Sequence, residues 1–226
     1  MSDTAKPAGY FERKAVFPLF PTFVWQHELP AADYEPINKK LLDWLSAMRP
    51  AADKYSAGRT WQTDTDLQGR PEMAELNKRV MVAGDGVMDF LGFEKSPLLI
   101  SGAWANFGPP DTSHHEHVHP NNFLSVVYYL RAPKGGNNIN FIDPRPQAHV
   151  MSPKVVKPSH NNASLVTVDV APGQLILFPA WLRHSVDPNR SGEERLSIAM
   201  NLMFEDYGRL LSKPRFSSNI GQDRRV

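Results

Sequence analysis

Between Pro97 and Phe204 the chain is a series of short apolar runs broken by glycine, proline and asparagine, with little helical period. The runs are Leu98–Phe107, Phe123–Leu130, Asn138–Ile142, Leu165–Val170, Gln174–Phe178 and Arg195–Phe204. Short strands at regular spacing predict a sandwich or jelly roll. Twenty prolines spread along the chain also require many turns and argue against a helical bundle. Gly135-Gly136 reads as a hairpin turn between two of the runs. The polar stretch from Pro144 to Asn162 reads as a long loop, of the kind that is usually functional or mobile.

The first hundred residues have a different texture. Residues 1–12 read as a frayed terminus. Ala15 to Glu28 mixes large apolar residues with two prolines, which suits an edge strand or two short pieces. Asp33 to Met48 reads as a helix, because Ile37, Leu41, Leu42 and Leu45 recur at helical spacing. Ala51 to Gly69 is polar and reads as a loop, with Trp61 as a local anchor. Pro71 opens a second helix running to about Leu91, with Gly92 as its stop and Gly84 and Gly86 weakening its middle. Leu76, Val80, Val82, Val87 and Leu91 give that helix an apolar side. The expected architecture is mainly β: a double-stranded β-helix (jelly roll) with supporting N-terminal helices. One domain covers 1–226, made of an extension over 1–96 with two helices packing on the barrel, a core over 97–204 and a tail over 205–226. A hydrophobic content of 41% is enough for a sizeable core.

Four of the eight histidines fall between His114 and His119. The chain has no cysteine, so a metal here would use imidazole, carboxylate or water, which favours iron, manganese or zinc. His115-Glu116-His117-Val118-His119 matches the zinc-protease letters HExxH, but that pattern works only on a helix. Pro120 pushes His119 toward extended geometry, and no helical pattern spans the site. On a strand, His117 and His119 point to the same side and can share one metal. His184, after the apolar run ending in Phe178-Pro179, is the candidate third ligand, since a jelly roll brings distant strands to one mouth. A solvated histidine-rich loop is the plain alternative.

Arg195-Leu-Ser-Ile-Ala-Met-Asn201 alternates strictly. Leu196, Ile198, Met200 and Leu202 form one face; Arg195, Ser197, Ala199 and Asn201 form the other. An arginine, a hydroxyl and an amide facing inward would be satisfied by a bidentate anion such as a carboxylate. An outward face paired to Glu193 or Asp187 is equally compatible with this segment. By the same parity Tyr129, Ser125 and His119 share a side, and Gly102, Trp104 and Asn106 share one on the preceding run.

Together these motifs resemble the iron(II)/2-oxoglutarate-dependent oxygenase superfamily. The order and spacing of His117-Val-His119, Ser125-Val-Val-Tyr-Tyr-Leu130, Asp143-Pro144-Arg145, Phe178-Pro179 with His184, and Arg195-Leu-Ser-Ile-Ala-Met-Asn201 are similar to its prolyl-hydroxylase-like branch, in a bacterial and phage group. The resemblance covers about Ser101 to Phe204. It implies iron(II) held by His117 and His184, with His119 in the place of the usual carboxylate. Register alternatives are His115 and Glu116. It also implies 2-oxoglutarate held by Arg195, Ser197 and Tyr129. Beside these, Asn106 is a candidate co-substrate contact, with a turn residue as the alternative, and Trp104 and Asn201 are candidates toward the substrate, with core packing as the alternative for Trp104. No catalytic residue beyond the metal ligands is implied. The expected activity is hydroxylation of a small-molecule or amino-acid-type substrate, with 2-oxoglutarate decarboxylated to succinate. Two rivals remain at this point: a cupin-like three-histidine metalloenzyme that does not use 2-oxoglutarate, and a non-catalytic jelly-roll binding module. A formal net charge of +1 gives no case for nucleic acid. With no long apolar run and a polar N-terminus, the expectation is a cytoplasmic protein without a membrane span.

Overall fold

A computed structural model describes residues 13–49 and 60–207. The expectations for residues 1–12, for residues 51–59 of the polar stretch and for the tail beyond 207 lie outside the described residues. Among the described residues ten strands form two antiparallel sheets. The larger has the order β1 (Trp25–Glu28), β8 (Gln174–Pro179), β5 (Leu124–Arg131), β10 (Arg195–Phe204), β3 (Leu98–Gly108) and β2 (Trp61–Gln62). The smaller has the order β4 (His114–His117), β9 (His184–Val186), β6 (Asn138–Ile142) and β7 (Leu165–Asp169).

The alternation of β10 divides the interior in two. Leu196, Ile198, Met200 and Leu202 point to the outer face of the large sheet. There they meet α1 (Ala31–Ser46), through Ile37, Leu41 and Leu45, and α2 (Ala74–Leu91), through Leu76, Val80 and Val87. The amphipathic faces of two helices thus cover one face of a sheet, and a single Leu→Ala change at Leu41, Leu45 or Leu76 would cost about 2–5 kcal/mol. The inner face belongs to a smaller core between the sheets. Val127 and Tyr129 of β5 and Ile176 and Phe178 of β8 meet Ile139 and Phe141 of β6 there. Because both its faces are covered, β5 reads as an unbroken apolar run in the sequence.

Tyr128 and Tyr129 show the division most directly. Tyr128 faces the helices, and its hydroxyl donates to Asn38 Oδ1 of α1 at 2.7 Å. Asn38 in turn donates to the Leu130 carbonyl at 3.3 Å. Tyr129 faces the space between the sheets, and its buried hydroxyl, beside Arg195, makes no well-formed hydrogen bond among the described residues.

Val82, counted from the sequence on the apolar side of α2, is instead exposed. Gly84 does more than weaken the helix. A Cβ there would lie 2.8 Å from Leu202 Cδ1 and 3.1 Å from Leu98 Cδ1, so the glycine lets α2 lie close on the sheet. Gly92 stops the helix in the left-handed conformation, φ +67°. The expected hairpin at Gly135-Gly136 is not one. Its flanking strands β5 and β6 belong to different sheets, so the turn carries the chain across the sandwich. Gly135 takes φ +95° and Gly136 N–H donates to the Pro133 carbonyl. Trp61 anchors the β2 edge by packing on Phe107, ring centroids 5.1 Å apart.

Candidate metal centre

The pairing of β4 with β9 sets His117 directly opposite His184. His119 lies just past the end of β4, where its N–H donates to the Ala180 carbonyl at 2.9 Å and keeps the segment running beside the loop that leads to β9. The nitrogens that these three residues offer lie within 4.8 Å of one another. Ring centroids are 4.2 Å apart for His117–His184, 5.1 Å for His119–His184 and 5.2 Å for His117–His119. His115 is exposed, and Glu116 Oε1 is paired with Arg183 Nη1 at 2.7 Å. Among the described residues neither register alternative joins the cluster. The HExxH letters sit on a strand, which removes the helical geometry that pattern needs.

Each ring has one nitrogen already committed. His184 Nδ1 is 2.9 Å from the Leu182 carbonyl, His117 Nδ1 is 2.7 Å from the His115 carbonyl, and His119 Nδ1 is 2.6 Å from Asn201 Oδ1. A carbonyl oxygen can only accept, so each Nδ1 carries the proton and each Nε2 keeps its lone pair. Such outer partners fix tautomer and orientation at metal sites. Burial is the main cause that pushes His184 down to about 3, and burial likewise lowers His119. Both rings are therefore neutral at pH 7. Three imidazoles that each keep one ring nitrogen free suit iron(II).

The co-substrate candidates occupy the inner face next to this cluster. The register of β10 places Ser197 between Asn106 and Tyr129, Ala199 between Trp104 and Val127, and Asn201 between Gly102 and Ser125. Arg195 is only 7% exposed, which excludes the outward, solvated alternative. No carboxylate among the described residues pairs with it. Its Nη1 is buried without a partner, and its Cζ sits 5.3 Å from the Tyr129 ring centroid. Burial lowers the pKa of the guanidinium and raises that of the Tyr129 hydroxyl. Two unpartnered donors in one buried place, one of them charged, are costly unless an anion completes them. A carboxylate fits that demand.

The remaining candidates are placed as follows. Asn106 is buried, and its Oδ1 accepts from Gln62 Nε2 at 2.8 Å, which leaves its amide nitrogen for a ligand. Trp104 is half-buried with its ring 5.5 Å from that of His119, at the mouth. Asn201, expected toward the substrate, spends its carbonyl on His119, and Ser125 Oγ lies 2.8 Å from the same His119 nitrogen. Sequence parity put Ser125 and Asn201 on inner faces. Their meeting behind His119 depends on the ladder between β5 and β10, which no local pattern specifies.

Residues 102–201 match the model of a family described as "Putative 2OG-Fe(II) oxygenase". No curated protein matches the sequence. Among solved structures the chain is similar to the non-heme alpha-ketoglutarate-dependent carbocyclase SnoK from nogalamycin biosynthesis, at 13% identity and TM-score 0.60, covering 84% of this chain and 87% of that one. It is similar to EctD from S. alaskensis, solved with 2-oxoglutarate and 5-hydroxyectoine, at 17% identity and TM-score 0.57, covering 81% and 72%. It is also similar to a prolyl-4-hydroxylase from Pseudomonas putida, at 18% identity and TM-score 0.53, covering 81% and 94%. At these identities the likeness is one of fold. The family match spans all three histidines and Arg195, so the core of this chain is similar to the iron(II)/2-oxoglutarate-dependent oxygenases in the segment that carries the site and in fold.

Proposed function

We propose that the protein hydroxylates a small-molecule or amino-acid-type substrate, using iron(II) held by His117, His119 and His184 and 2-oxoglutarate held by Arg195. With both bound, such a site supplies oxidation of a C–H bond by dioxygen, coupled to decarboxylation of 2-oxoglutarate to succinate. The chain's own residues bind, orient and exclude water. The three histidines offer nitrogens within 4.8 Å of one another and would hold the metal with positions left for the co-substrate and dioxygen. Leu182, His115 and Asn201 hold the rings in place through their Nδ1 protons. Arg195, with the Tyr129 hydroxyl and Ser197, receives the distal carboxylate, and Asn106 borders the same wall. Val127, Ile176 and Phe178 line the inner core and keep it dry. Trp104 faces the side from which a substrate would approach.

The observation that supports this reading over a cupin-like enzyme is the buried, unpartnered Arg195. Three histidines alone would suit either. A cupin-like site without 2-oxoglutarate has no use for a cation enclosed beside the metal. A small substrate is supported by EctD and its 5-hydroxyectoine, and an amino-acid-type substrate by the prolyl-4-hydroxylase. The test is anaerobic titration of the iron(II)-loaded protein with 2-oxoglutarate, followed by admission of air. A weak visible charge-transfer band, succinate formation, and loss of both in Arg195→Ala are expected. Absence of the band, together with unchanged 2-oxoglutarate affinity in Arg195→Ala, would overturn the proposal.

A further inference from the structure

The fourth histidine of the cluster, His114, has no place in the site so far. In a regular strand residues 114 and 117 would point to opposite faces. The β4–β9 ladder is not regular. His114 pairs with Val186 and His117 with His184, so three steps along β4 oppose two along β9. The extra residue is a β-bulge, a device that re-aims side chains near active sites. It turns His114 to the same side as His117, and the two ring centroids are 6.3 Å apart. His114 is partly buried and finds no hydrogen-bond partner among the described residues. It does not belong to the group that converges on the metal.

Its other neighbour is Arg195. Arg195 pairs across the ladder with Gly108, and a Cβ on Gly108 would lie 3.7 Å from Arg195 Cβ and 3.3 Å from Thr112 Oγ1. The chain entering β4 therefore passes beside the arginine. Burial first, and then the charge of Arg195, push His114 down to about 4. Arg195 Nη1 and the Tyr129 hydroxyl are thus buried with no hydrogen-bond partner among the described residues, and the His114 ring lies close enough to the arginine to feel its charge. Such groups in a native interior call for a ligand.

We infer that His114 is a co-substrate contact, its ring N–H donating to the distal carboxylate that Arg195 and Tyr129 receive. The inference rests on the proposed 2-oxoglutarate site. It adds a donor that the sequence motif does not contain, because the bulge that presents it is visible only in the ladder. The neutral ring gives direction to a carboxylate whose charge Arg195 offsets, and it sits on the metal side of the arginine.

The test compares two ligands on the manganese(II)-loaded protein under equilibrium binding: 2-oxoglutarate, and 2-oxovalerate, which has the same 2-oxo acid end but no distal carboxylate. Wild type should prefer 2-oxoglutarate. His114→Leu should weaken 2-oxoglutarate roughly 10-fold, the loss of one hydrogen bond to a charged group, while 2-oxovalerate stays within about twofold. His114→Gln, which keeps an N–H donor, should recover part of the loss. Manganese affinity should not change in either variant. Equal losses for both ligands, no loss for either, or weakened manganese binding would each overturn the assignment. If wild type does not prefer 2-oxoglutarate, the co-substrate site itself falls and His114 with it. If Arg195→Leu abolishes the preference and His114→Leu does not, only the His114 assignment falls.

Discussion

Replacing Asn201 by leucine would test how the metal centre is held. Asn201 is 9% exposed, and its Oδ1 accepts from His119 Nδ1 at 2.6 Å. Leucine has the same branched shape with the same number of side-chain heavy atoms, though a larger volume, and it removes the acceptor. His119 would then have only Ser125 Oγ, 2.8 Å from the same nitrogen, to hold its tautomer. One hydrogen bond is worth about 1 kcal/mol net, and outer partners of metal ligands typically contribute 10–100-fold in metal affinity. With Ser125 in place the loss belongs at the lower end, about 10-fold or ~1.4 kcal/mol. Removing both, in Asn201→Leu with Ser125→Ala, leaves a partly buried N–H with no acceptor and should approach 100-fold. The assay is competition for manganese(II) or cobalt(II) against a chelator of known affinity, with thermal melting as the control for folding. A folded double variant that binds metal within threefold of wild type would refute the argument that Asn201 and Ser125 orient a third ligand.

Arg195→Leu should abolish discrimination for 2-oxoglutarate, yet the ligand-free protein should melt no lower than wild type, because a buried cation without a counterion is removed. Adding 2-oxoglutarate with manganese(II) should raise the melting temperature of wild type and not of the variant. The two glycines of α2 should behave oppositely. Gly86→Ala meets nothing within 4 Å and should stabilise by up to about 1 kcal/mol through helix propensity, whereas Gly84→Val collides with Leu202 and Leu98 and should destabilise by about 1–3 kcal/mol, both read from denaturant midpoints. The metal-free protein should lose stability as pH falls below about 6.5. His184, held near 3, and His114, held near 4, stay neutral in the fold while the unfolded chain takes up their protons, so the unfolded state binds more protons and gains on acidification. Melting temperatures that are flat from pH 7 to pH 4.5 would contradict the buried, neutral histidines.

The residues legible from sequence were those governed by a local period. The alternation of β10 separates Leu196, Ile198, Met200 and Leu202 from Arg195, Ser197 and Asn201, and the ladder bears out that division. The six strand runs fall within a few residues of their observed ends. The failures were of pairing, not of period. Gly135-Gly136 has the letters of a hairpin, but letters do not say whether the next strand joins the same sheet or the opposite one. Alternation gives the face of Asn201 but not its contact with His119, because that distance is set by strands far apart in the chain. Strict alternation from His117 and His119 would put His114 on the other face, and a one-residue bulge overrides alternation without leaving a mark in composition.

The charge of the centre follows from the same register. Where a carboxylate would be the third ligand, a divalent metal keeps one net positive charge, and a neighbouring arginine brings the cavity to two. With neutral His119 as the proposed third ligand, the metal would keep both charges, and Arg195 would make three. Glu116 could soften this but is spent on Arg183, and the amide behind His119 carries no charge. A dianion therefore enters a cavity more positive than itself, in a low-dielectric interior where such differences are not screened as they are in water. Holding His114 neutral keeps that excess from growing. The departure from the usual ligand set and the burial of an unpaired arginine are on this view one arrangement: among the described residues no carboxylate serves either, and the co-substrate of the proposed function would serve both.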